Sequence, residues 1–186
     1  MSGHGSTPPV APSRSTAGDN LFLRSVAGLS TLAGWTSAAM IVAAVSITCQ
    51  MIFVRFVLNG STIWQTEAVI YLVIAATLIG LPYVQLLSGH VNVDLIPLML
   101  APRARFYMAI LTSILSISIM IVMVWYGFEY WHFAWAKGWH SDTVWGVRLW
   151  IPYLAIPVGF GLFLLQLIAD FVALLLGSEK PFGLET

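Results

Sequence analysis

Charge is the scarcest property of this sequence. Only 9% of its 186 residues are charged, against about 25% in an ordinary globular chain. Eight basic and eight acidic residues cancel, so there is no basic stripe for a nucleic acid to follow. Cysteine is nearly absent as well. A single Cys49 excludes an internal disulfide or a Cys-x-x-Cys redox centre, and it reads as a small hydrophobe in an apolar run. No Gly-x-Ser-x-Gly, His-Glu-x-x-His or phosphate-binding glycine loop occurs. The expectation is a non-enzyme, with no catalytic residue, no metal and no cofactor.

Apolar surface is what the chain has in excess. Hydrophobic residues make up 59% of it and the mean hydropathy is +0.87, more than a soluble domain of this length can bury. Four stretches contain no Asp, Glu, Lys or Arg: Arg24 to Arg55, Glu67 to Asp94, Arg105 to Glu129, and Arg148 to Asp170. Each approaches or exceeds the ~20 residues needed to cross hydrocarbon as a helix, and none alternates polar and apolar as a barrel strand must. The fold class expected is all-α integral membrane, with transmembrane helices near 30–56, 65–88, 105–127 and 148–176. Residues 21–178 form the membrane domain, and Leu21 to Leu29 are able to lengthen the first helix. Met1 to Asn20, rich in Ser, Gly, Pro and Thr, reads as a disordered cytoplasmic tail and not as a signal peptide; residues 179–186 form a short second tail.

Basic residues set the orientation. With both termini inside, the inner segments hold Arg14, Arg24, Arg103, Arg105 and Lys180, and the outer loops hold Arg55, Lys137 and Arg148; the excess places both termini in the cytoplasm. Six of eight tryptophans fall between Trp125 and Trp150. Phe128, Trp131, Trp135 and Trp139 share a face at helical spacing, with Lys137 opposite, which predicts an amphipathic segment in the interface between helices three and four, anchored by Trp131, Trp135 and Trp139.

The few polar residues near the spans are the candidate sites. Arg55 ends the first span and Glu67 begins the second, at similar depth across a short loop, which predicts a pair that ties this hairpin. Asp170 follows Gln166 by one turn on the same face of the fourth span. Small and hydroxyl residues (Ala33, Gly34, Ser37 and Ala44 in the first span; Thr112, Ser113 and Ser116 in the third) suit close helix packing. Pro152 and Pro157 sit near the start of the fourth span, followed by Gly159 and Gly161. His90 and Asp94, four residues apart after the second span, form a weak metal signal because no third ligand is near; a tight inter-helix connection is the reading. The span centres carry almost no ionisable groups, which argues against a stand-alone pump or channel. A four-helix respiratory anchor holding haem is the alternative, and it needs histidines within the helices rather than at their ends.

In order and spacing, several of these segments resemble the small membrane subunit of tripartite ATP-independent periplasmic (TRAP) transporters, the DctQ-like family. They are Arg55-Phe56 with a short loop to Trp64 and Glu67, Gly80 in the second span, His90-Val91-Asn92-Val93-Asp94, Leu149-Trp150-Ile151-Pro152-Tyr153, and Ile156-Pro157-Val158-Gly159. Tyr130 to Val147 and the long tail carry no likeness. The resemblance implies a scaffold subunit in a bacterial inner membrane. It would assemble with a large multi-span subunit and a periplasmic binding protein that delivers an organic anion, and no substrate-binding residue is expected in this chain. Arg55, Glu67, His90, Asp94, Trp150, Pro152, Pro157 and Gly159 are the structural or partner-contact candidates that it implies.

Overall fold

The computed structural model describes residues 21–87 and 102–176. Both tails and the segment holding His90 and Asp94 lie outside the described residues. Five helices account for nearly all the rest: α1 (Leu21–Phe56), α2 (Ile63–Leu86), α3 (Pro102–Ala136), the single turn α4 (Trp150–Tyr153) and α5 (Ala155–Leu175). The fourth span is α4 and α5 together. Four helical stretches are long and apolar enough to cross a membrane, as the composition requires.

The helices form a row more than a compact bundle. α1 packs on α2, α2 on α5, and α5 on α3, with a lesser contact of α1 on α5. The faces follow from residue spacing. On α1 the positions Val26, Ser30, Ala33, Ser37, Met40, Ala44, Ile47 and Met51 recur every three or four residues and turn inward, a seam of mostly small side chains that lets backbones approach. The Tyr83 ring lies over Gly34, and the Ser37 hydroxyl donates to the Ala76 carbonyl at 2.7 Å. α2 has two working faces: Gln65, Val69, Ala76, Gly80 and Tyr83 turn toward α1, while Glu67, Tyr71, Leu78, Pro82 and Gln85 turn toward α5 and its preceding loop.

At the centre of the row, α2 and α5 touch backbone to backbone. Pro82 is fully buried inside α2. Having no N–H, it leaves the Leu78 carbonyl without its helical donor. That carbonyl faces Gly159 of α5: a Cβ built there would lie 2.8 Å from the Leu78 oxygen and 2.7 Å from the Leu78 Cβ. The glycine is therefore required, because any side chain there would collide with the Leu78 backbone.

α3 differs most from expectation. It runs unbroken through the aromatic region to Ala136, so Phe128, Trp131 and Trp135 stand on the same helix as the third span, beyond the boundary expected near residue 127. Nothing from Phe128 to Ala136 breaks a helix, and the stop is Gly138. With φ of 61°, its N–H donates to the Trp135 carbonyl at 3.1 Å, and the Trp139 N–H donates to the Ala134 carbonyl at 3.1 Å; this is a Schellman cap. Gly127 packs on Ile156, which fixes the register. Counting outward at about 1.5 Å per residue, the end of α3 falls level with the first turns of α2. The aromatic residues thus line one end of the span itself.

Candidate functional site

The Glu67 and Asp170 carboxylates and the side chains that bond to them gather at the two opposite ends of the helices, while most Ser and Thr side chains along the spans bond back to their own helix. At the hairpin end, where α1 passes into α2, Glu67 is only 8% exposed. Its carboxylate accepts from the Tyr71 hydroxyl at 2.5 Å and from the Thr143 hydroxyl at 2.5 Å. Two O–H donors on two oxygens are what a buried acceptor-only group needs. Tyr71 is four residues along the same helix face. Thr143 arrives from the loop between α3 and α4. That loop doubles back through a bridge between His140 and Arg148, with Ser141 N–H to the Val147 carbonyl at 2.8 Å and a turn closed by Gly146 N–H to the Thr143 carbonyl at 3.0 Å. Trp145 beside it packs on Trp64, ring centroids 6.2 Å apart. The loop is thereby latched onto the start of α2.

The expected Arg55–Glu67 pair is not formed. Arg55 is exposed at the end of α1 and makes no ion pair among the described residues. The two residues share a depth but not a direction, because Glu67 lies on the α2 face turned toward α5 while α1 packs on another face. One further polar group is buried nearby. Gln65, 2% exposed, donates to Gln50 at a long 3.5 Å, and its own carbonyl oxygen has no partner.

At the opposite end, a chain of hydrogen bonds joins three helices. Ser30 of α1 donates to the Gln166 carbonyl oxygen at 2.7 Å. The Gln166 amide donates to one Asp170 oxygen at 2.7 Å, and the Gln85 amide of α2 donates to the other at 2.9 Å. Gln166 is 2% exposed. The spacing of Gln166 and Asp170 announced their shared face; Ser30 and Gln85 carried no signal beyond being polar within apolar spans.

The remaining candidates fall as follows. The Trp150 carbonyl accepts from the Trp131 indole N–H at 3.1 Å, fastening α4 to α3. Pro152 lies in α4 and Pro157 in the first turn of α5. Trp131 packs at a tilt against Phe128 and Trp135, ring centroids 5.5 and 5.3 Å apart; Trp139 lies past the helix end, edge-on to Phe133. His90 and Asp94 are outside the described residues. Among the described residues no three His, Cys, Asp or Glu side chains gather as metal ligands would.

The structure so far defines a class: a multi-pass membrane protein built as a row of spanning helices, with its polar side chains serving as ties between them. Comparison with protein families carries this further. Residues 44–177 match the family described as tripartite ATP-independent periplasmic transporters, DctQ component, and the chain belongs to that family. Comparison with curated proteins and with solved structures gives no match. The family is a transporter component, which sets the respiratory haem anchor aside and points to a non-enzyme.

Proposed function

We propose that this chain is the scaffold subunit of a TRAP-type secondary transporter in a bacterial inner membrane, with both termini cytoplasmic. It assembles with a large multi-span subunit that carries substrate and coupling ions, and a periplasmic binding protein delivers an organic anion, a carboxylate, to the pair. The observation that supports this reading is how the side chains are used. Glu67, Gln85, Gln166 and Asp170 bond within the chain. Meanwhile Leu32, Val42, Phe53, Leu111, Ile119 and Val122 leave large apolar faces of α1 and α3 open along their length. Internal ties with open outer faces suit a wall that a larger protein leans on. Co-expression with a large TRAP membrane subunit, followed by mild detergent purification, should recover both chains together. Proteoliposomes holding both should take up the anion with its binding protein, and those holding either alone should not. Uptake by the large subunit alone at the full rate would overturn the proposal.

A further inference from the structure

Because Glu67 turns away, Arg55 has no counter-charge among the described residues, and what lies beneath it indicates a source. An open groove of about 200 Å³ runs between α1 and α2, lined by Ile41, Ala44, Val45, Thr48, Val69 and Val73, with Cys49 at its edge. Arg55 stands seven residues beyond Thr48 and fourteen beyond Ile41, on the same stripe of α1, about 10 Å above the groove. On the other wall Thr66 precedes Val69 and Val73 by three and seven residues, and its hydroxyl is engaged within the hairpin by the Thr62 carbonyl at 3.3 Å and the Met51 sulfur at 3.4 Å. An apolar channel inside the span thus ends below one guanidinium that is free among the described residues. No acid occurs between Arg55 and Thr66, and the nearest one, Glu67, is occupied by Tyr71 and Thr143.

We infer that this is a binding site for an anionic phospholipid, its acyl chain in the groove and its phosphate on the Arg55 guanidinium. The guanidinium fork matches a phosphate's oxygens, and the groove supplies contact that a free phosphate could not use. The native Cys49 at the groove's edge is a built-in reporter. Full-length chain, purified in mild detergent and stripped of lipid, is titrated with phosphatidylglycerol or phosphatidylcholine. Alkylation of Cys49 by N-ethylmaleimide is then timed, and retained lipid is weighed by native mass spectrometry. Phosphatidylglycerol should slow alkylation about fivefold more than phosphatidylcholine, the size expected for one arginine against an anionic headgroup. Arg55→Gln should erase that difference, Arg55→Lys should restore most of it, and Val73→Phe, which fills the groove, should lose retained lipid of both kinds. Equal protection by the two lipids, or an Arg55→Gln chain that keeps the preference, would overturn the site. So would protection that depends only on co-purified large subunit and not on lipid, which would make the groove a helix-docking surface instead.

Discussion

The two ends of the helix row use the same kind of group in opposite ways. At the hairpin end, a carboxylate on α2 is held by hydroxyls, one from its own helix and one from a loop 76 residues away in sequence. At the far end, a carboxylate on α5 is held by amides, and the chain runs on through Gln166 to Ser30, so that three helices share one network. The first arrangement fastens a loop; the second fastens the helices themselves. Between them, the close approach of Gly159 to Leu78 sets the spacing about which both ends are built.

The comparison breaks most completely at its centre. Gly159→Ala places a methyl group against backbone that cannot move aside, so it should cost about 2–3 kcal/mol and weaken both ends together, read as a lower melting temperature in detergent and faster proteolysis of the α3–α4 loop. Asp170→Ala should come next. It leaves the Gln85 and Gln166 amides without their acceptor, at about 1–2 kcal/mol for intramembrane hydrogen bonds, and should lower the melting temperature while loop proteolysis stays at the native rate. Thr143→Val should cost about 1 kcal/mol and do the reverse, exposing the loop with little change in melting. Arg55→Gln sharpens the contrast from below: with no partner among the described residues, it should shift stability in phosphatidylcholine micelles by less than about 0.5 kcal/mol. A loss as large as that of Glu67→Gln would reinstate the pair.

The sequence carried the fold further than the ties. Charge-free runs located four spans because burying a charge in hydrocarbon is costly, and that cost leaves its mark in one dimension. The end of α3 was also legible: Gly138 is the first residue after Phe128 that stops a helix, whereas Glu129 and the tryptophans that bound the charge-free run are all compatible with one. Gln166 and Asp170 were placed on one helix face because i and i+4 is a local geometry, while the bond between them and the reach of Gln85 to Asp170 depend on the packing. Glu67 was placed at the right depth but assigned the wrong partner, since depth follows from counting residues whereas direction depends on which faces α1 and α5 occupy. Thr143 lay beyond reach, because the fold of its loop, and not any spacing, brings it to α2.

Seen as mechanics, the row behaves as a braced frame. Helices packed through small residues are free to slide along one another when only their middles touch. Here the Asp170 network joins α5 directly to α2 on one side of the Leu78–Gly159 crossing, and on the other the Glu67 latch holds α2 to the loop that leads into α4 and α5, so a one-turn slip of α5 against α2 would break the network and strain the loop. A part that must stay rigid while its neighbour moves gains more from two separated braces than from one stronger contact at the centre.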